Sequence, residues 1–291
     1  MKIYNDICNT ASAGPGNTGS NNECLESVMV SFVLAKETFK FASVAAMKDV
    51  ANWNTAIQNR DIAVFPEVYE LTPNNADATF YESRNFRKRT QKATKITDVE
   101  LYLGYCSHKA LKSYESSEYN RIFEITEDGD ILGVYADDGV GVQGQKLKNF
   151  DVGIRTQATV DKPPYTPVSI TYQDHEEVEK GAVLITPDFN PIDDLDGIFG
   201  VNITQSGAGS DTLITFTAFV GCSDDVITDL ESNLTLVEAD GTTDQGATIA
   251  HVGNGTYTAT GTTFVDGFIT TGGVVTINGI MYDANQAVTA S

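Results

Sequence analysis

Leu213-Ile214-Thr215-Phe216-Thr217-Ala218-Phe219 is a run of β-branched and aromatic residues with threonine recurring through it. Such a run fits a pleated, half-buried surface and reads as a strand over 212–220. Toward the N-terminus, Ser206-Gly207-Ala208-Gly209-Ser210-Asp211 is turn chemistry, and 198–205 reads as a second strand. Toward the C-terminus, strands are expected at 234–237, 247–252, 255–260, 264–271 and 274–281, with a turn at Asp240-Gly241. Short strands at this spacing predict a β-sandwich over residues 197–291.

Upstream the pattern stops at Pro187-Asp188-Phe189-Asn190-Pro191-Ile192-Asp193-Asp194-Leu195-Asp196-Gly197, where two prolines and a cluster of carboxylates mark a domain boundary. Residues 25–190 form the expected first domain. Val28, Val30, Phe32 and Leu34 alternate, which gives a first strand. A helix is expected over 43–58: Ser43 can cap it, and Ala46, Met47, Val50, Trp53 and Ile57 recur at helical spacing. Strands are expected at 62–70, 78–83, 97–105, 121–127, 131–136, 150–160 and 168–172, with a short helix near 107–114. Asp128-Gly129-Asp130 suits a hairpin turn, because Asp-Gly accepts positive φ. Residues 1–24 are small and polar and read as a flexible arm. The fold class is mainly β: a sandwich or barrel-like N-terminal domain with one packed α-helix, then a second sandwich.

Charge is the most informative bulk property. The chain of 291 residues carries a net charge of -21. From Gly181 to Ser291 it holds 14 Asp and Glu and no Lys or Arg. The first half contains instead a basic run from Arg84 to Lys95, with Arg84, Arg87, Lys88, Arg89, Lys92 and Lys95 around Phe86. Such asymmetry suits contacts between subunits or an acidic surface that repels nucleic acid. No apolar stretch is long enough to span a bilayer, and no secretory signal is seen at the N-terminus, so a cytoplasmic site of synthesis is expected. Cys8, Cys24, Cys106 and Cys222 lack metal-site spacing, and free thiols are expected, with Cys8–Cys24 the one pair close enough in sequence to suspect.

The strand at 213–219, the segment Leu234-Thr235-Leu236-Val237-Glu238-Ala239-Asp240-Gly241, and Gly253-Asn254-Gly255-Thr256-Tyr257-Thr258-Ala259-Thr260 together resemble bacterial immunoglobulin-like modules. The resemblance covers 197–291 and implies an Ig-like β-sandwich with Tyr257 packed near a corner. Such modules are often appended to tail and capsid proteins of tailed bacteriophages. The first 190 residues are similar in layout to phage tail-tube subunits, which share a polar arm, one helix, strands and long loops.

Catalytic chemistry finds little support. Asp174-His175-Glu176-Glu177-Val178-Glu179 lacks the second histidine of a zincin. Gly139-Val140-Gly141-Val142-Gln143-Gly144 matches the glycine pattern of a dinucleotide site, but no βαβ unit surrounds it. No nucleophile elbow and no full calcium loop occur, so no enzyme, cofactor or metal is expected.

The resemblance implies a virion protein. The leading expectation is a tail-tube or related tail subunit that self-assembles into rings, contacts other virion proteins and lets DNA pass without specific binding. The six cations from Arg84 to Lys95 are the subunit-contact candidates. The alternative is a capsid decoration or host-surface protein that attaches to glycan or protein through Tyr257, Phe264 and Phe268. No membrane partner is expected.

Overall fold

The computed structural model describes residues 27–115, 118–174, 176–221 and 223–290. The arm 1–24, Cys8, Cys24, Cys222 and His175 lie outside them. The chain divides into two compact units, Met1–Leu195 and Asp196–Ser291. Both are mainly β. Among the described residues no helix is long and apolar enough to cross a membrane.

Unit 1 contains β1 (Met29–Lys36), β2 (Ile62–Val64), β3 (Glu70–Pro73), β4 (Thr79–Ser83), β5 (Phe86–Gln91), β6 (Ile96–Leu101), β7 (Tyr119–Thr126), β8 (Ile131–Tyr135), β9 (Val142–Gln143), β10 (Gln145–Val152), β11 (Thr166–Tyr172) and β12 (Ala182–Ile185). Its helices are α1 (Val44–Lys48), α2 (Val50–Gln58), α3 (Tyr105–Lys112) and α4 (Glu176–Gly181). Ten strands form one curled sheet in the order β12-β8-β7-β10-β11-β6-β3, with β1 also on β7, β2 on β1 and β9 on β8. β7 is the branch point. Its Glu124 and Ile125 pair with β8, and its Arg121 and Ile122 pair with β10.

β1 is buried on both faces, since Val33 and Ala35 are as buried as Phe32 and Leu34. Phe32 and Leu34 point into the curl with Ile122, Leu147, Phe150, Val168 and Ile170. On the adjacent strand, Phe123 faces the helices: it meets Trp53 at 5.4 Å and Phe41 at 5.8 Å between ring centroids. Trp53 is fully buried, and its indole Nε1 donates to the Met47 carbonyl at 2.7 Å. It fills core, as its amphipathic spacing indicated.

Several boundaries differ from the sequence reading. The helix over 43–58 is two helices, because Asp49 is extended (φ -94, ψ 118). The Asp49 carboxylate accepts from the Ala51 N–H and so caps α2, while Ser43 caps α1. An Asp that can satisfy an orphan N–H starts a new helix more readily than it continues an old one. The expected strand 150–160 ends at Val152, and 153–165 is a loop. The expected strand 62–70 is β2 and the start of β3 with an irregular link between them. Cys106 is disulfide-bonded, so the free-thiol expectation is wrong for that residue.

Unit 2 contains β13 (Ile198–Gln205), β14 (Leu213–Val220), β15 (Thr235–Glu238), β16 (Thr248–Gly253), β17 (Thr256–Thr260), β18 (Gly267–Thr270), β19 (Val275–Ile277) and β20 (Ile280–Val288). The order is β15-β18-β20-β13-β14-β17-β16, with β19 on β20. The long β20 serves both layers. Its first half runs parallel to β13, and its second half pairs antiparallel with β18. The inward residues Ile214, Phe216 and Ala218 of β14 meet Leu236, Tyr257, Ile269 and Ala284 in one core.

Tyr257 ties this core to the connection before β15. Its hydroxyl donates to the Ile227 carbonyl at 2.8 Å and accepts from the Leu230 N–H at 3.3 Å. Burial raises its pKa above the ordinary phenol value. Tyr257→Phe removes both bonds and leaves a buried N–H and a buried carbonyl unpaired. The expected cost is about 1–3 kcal/mol, read as a lower urea midpoint for unit 2 with its strand content intact.

Candidate assembly hairpin

β3 and β6 form an antiparallel ribbon that begins inside the unit 1 sheet, where Glu70 faces Glu100 and Pro73 faces Thr97. The ribbon then leaves the sheet. Asn74 N–H donates to the Ile96 carbonyl at 2.9 Å, and Ala76 and Thr94 exchange bonds of 3.0 and 2.9 Å. Beyond them β4 and β5 pair only with each other, turning at Arg84-Asn85. Ten residues of extended chain from Asn74 to Ser83 reach roughly 30 Å.

Every residue from Thr79 to Lys92 is exposed. Residues directly opposite on a ribbon share a face. Phe80 faces Arg89 and Glu82 faces Arg87, so one face is cationic. Tyr81 faces Lys88 and Ser83 faces Phe86, so the other face carries two aromatic rings and one cation. The ribbon is held by its ladder, by a Thr79–Thr90 hydroxyl contact of 3.1 Å, and by Arg87, which pairs with Glu82 at 2.7 Å and covers Phe80 at 4.2 Å. An isolated two-stranded hairpin is marginal in water. Five cations stand here against the single carboxylate Glu82, within a chain of net charge -21.

The six contact candidates separate in the structure. Arg84, Arg87, Lys88 and Arg89 lie on the hairpin. Among the described residues Arg84, Lys88 and Arg89 have no ion-pair partner. Lys92 is tied back to Asp174 at 3.9 Å and Glu176 at 3.0 Å. Lys95 is a correction. It is half-buried, pairs with Glu124 at 3.0 Å and sits 4.2 Å over the Tyr172 ring, so its charge is engaged within unit 1. The sequence reading places no strand over 84–95, and the structure has β5 at Phe86–Gln91. Phe80, Tyr81 and Phe86 on either side of Glu82-Ser83-Arg84-Asn85 were the available strand signal, masked by the four cations.

Two of the three surface-binding candidates are also corrected. Tyr257 and Phe264 are buried in the unit 2 core, and Phe268 is half-buried between Val237 and Ala287 on the neighbouring strands. Their aromatic area is used in packing, which leaves no ring at 257 or 264 for a ligand. His108 lies in α3, where its Nδ1 meets Thr166 Oγ1 at 3.0 Å. His251 packs on Tyr257 at 5.0 Å. Gly139-Val140-Gly141 is followed by β9 and β10 rather than a helix, so no helix N-terminus awaits a phosphate.

No known protein-family model matches this sequence, and no curated protein matches it as a relative.

Proposed function

We propose that this chain is a non-enzymatic structural subunit of a bacteriophage particle, of the tail-tube or a related tail type, which associates with copies of itself through the β4–β5 hairpin. The observation that carries the reading is the hairpin. It is a ribbon of exposed cations and aromatic rings, and every residue from Thr79 to Lys92 is exposed among the described residues. A free hairpin of this composition is a weak structure and a ready template for a partner. Unit 2 supports the same reading, because Gly253–Thr260 with Tyr257 at a sandwich corner resembles the Ig-like modules appended to virion proteins. In an assembled tube the acidic balance of the chain would repel DNA phosphates and let a genome pass without adhering.

The test is negative-stain microscopy of purified protein at low and high salt. Rings or tubes at low salt that thin out at 1 M salt are expected, since a Debye length of about 3 Å at that strength screens exposed charge. Isolated particles under both conditions contradict self-assembly and favour a decoration or host-attachment role. Arg84→Glu with Lys88→Glu and Arg89→Glu reverses the unpaired cations without touching a core residue. Self-association of that variant is expected to weaken at least 10-fold, measured by sedimentation, with an unchanged melting temperature.

A further inference from the structure

Four neighbouring strands of the unit 1 sheet bring an amine, a carboxamide and a carboxylate together. They run in the order β6-β11-β10-β7. Lys95 stands directly before β6, Tyr172 ends β11, Gln145 opens β10 and Glu124 lies in β7. Glu124 Oε1 accepts from Lys95 Nζ at 3.0 Å and from Gln145 Nε2 at 2.8 Å, so the amine and the carboxamide meet on one oxygen atom. The Tyr172 hydroxyl donates to the same oxygen at 2.7 Å. Gln145 and Tyr172 are each 2% exposed and Glu124 7%. Ile122 and Leu147, two residues along from Glu124 and Gln145, belong to the core inside the curl.

A buried lysine beside a carboxylate is an ordinary ion pair. Here, however, the carboxylate that touches the amine also touches the nitrogen that would have to leave if the amine attacked the carboxamide. We propose that Lys95 and Gln145 become joined by an isopeptide bond after unit 1 folds, with Glu124 as the proton carrier. The inference stands without the assembly reading.

The step needs no co-reactant. The Lys95 ammonium gives one proton to the Glu124 carboxylate along their hydrogen bond. The freed Nζ electron pair adds to Gln145 Cδ, and the carbonyl electron pair moves onto the Gln145 oxygen. When that pair returns, the Cδ–Nε2 bond breaks. Glu124 hands its proton to Nε2, and the surplus proton on Nζ goes to the same departing nitrogen. One ammonium ion leaves, a secondary amide joins the two side chains, and Glu124 ends ionised. Well-oriented intramolecular reactions reach effective molarities of about 10⁵–10⁸ M, which is what an unactivated carboxamide requires. Burial favours the neutral amine and carboxylic acid over the charged pair, and a desolvated lysine amine is a nucleophile.

A second cluster supplies an internal control. Glu37 accepts from Lys146 Nζ and from Asn120 Nδ2 at 3.1 Å, the same three kinds of group. The two lysine side chains are alike, 31% exposed at Lys95 and 33% at Lys146, but the Glu37 side chain is 52% exposed where Glu124 is 10%. Lys146 and Asn120 hold the Glu37 carboxyl below its ordinary pKa, so it stays charged and this pair stays unlinked.

The link fastens the root of the hairpin. Thr94, beside Lys95, exchanges bonds with Ala76 at the base of the ribbon. A covalent bond from Lys95 to β10 therefore fixes the place where the ribbon leaves the sheet. Like a disulfide, it restricts the unfolded chain, and replacing the charges does not restore that contribution.

Peptide mapping of the reduced, denatured full-length protein tests the proposal. Most wild-type chains are expected to yield a branched tryptic peptide joining the Lys95 and Gln145 segments, lighter by one ammonia than the two segments apart. Glu124→Gln keeps the shape of the side chain but cannot take the proton, and Lys95→Arg keeps the charge without the amine. Both are expected to give linear peptides of full mass, with circular dichroism showing the β fold retained. Linear, full-mass peptides from the wild type overturn the proposal, and that measurement does not depend on how any variant folds. So does an ammonia loss confined to one linear peptide, as cyclisation at Asn278-Gly279 would give, or a branch through Lys146 in place of Lys95. A Lys95–Gln145 branch that forms undiminished in Glu124→Gln overturns the role of Glu124.

Discussion

Trp53→Ala is expected to lower the stability of unit 1 by about 3–5 kcal/mol, the range for removing a large buried aromatic ring. Trp53 is fully buried between Phe41 and Phe123, with centroid separations of 4.6 and 5.4 Å, and it joins α2 to the outer face of β7. Its Nε1 also closes the end of α1 by donating to Met47. Truncation therefore opens a cavity and frees a carbonyl together. Domains are stable by only about 5–15 kcal/mol, so much of the margin of unit 1 is removed. Calorimetry should show the unit 1 transition at a much lower temperature with the unit 2 transition unmoved. A single unshifted unit 1 transition would show that the helix pair contributes little to the sheet.

The second large effect is expected at Glu124. Its Oε1 accepts from Lys95 Nζ at 3.0 Å, Gln145 Nε2 at 2.8 Å and the Tyr172 hydroxyl at 2.7 Å. These donors come from the β6 edge of the ribbon, β10 and β11, so one carboxylate gathers three parts of the curled sheet. Glu124→Ala leaves a cation, an amide and a hydroxyl without their acceptor. Breaking a buried pair costs about 3–5 kcal/mol, and the low end applies because Lys95 keeps part of its side chain in water. Glu124→Leu combined with Lys95→Met removes both charges and should recover much of the loss in urea titrations. If the double replacement is as unstable as Glu124→Ala, the network is held by its geometry and not by its charge.

How far the fold could be read from the sequence followed from how local each signal was. β14 was legible because Thr, Phe and Ile alternate with one face buried, and the core residues Ile214, Phe216 and Ala218 keep that period. β19 and β20 were run together as one strand over 274–281, although Asn278-Gly279 lies between them. Both residues have positive φ, 52° and 88°, which is the two-residue turn that Asn-Gly favours. That signal was present and was outweighed by the apolar residues on either side. The split helix turned on Asp49, whose capping bond depends on a backbone break invisible to apolar spacing.

The candidate site was half legible. Charge counting found the basic run, but charge says nothing about whether a cation meets water or a buried carboxylate. Lys95 resembled its neighbours in sequence, and its partner Glu124 lies 29 positions away. Ile154 and Val160 sat inside an expected strand, where apolar residues attract no notice. The structure puts both in the 153–165 loop, exposed to water. Tyr257 and Phe264 were offered as ligand contacts, yet an aromatic residue in a strand is more often core, and burial decides the matter here.

The most direct measurement is the mass in solution of the full chain beside a variant in which Thr79–Gln91 is replaced by a short glycine-serine turn. Light scattering is expected to give multiples of 31.4 kDa for the full chain at micromolar concentration, and the monomer for the variant with both units still folded. A full chain that remains at 31.4 kDa at every concentration, or a variant that assembles as well as the full chain, contradicts the hairpin as the element that joins one copy to the next.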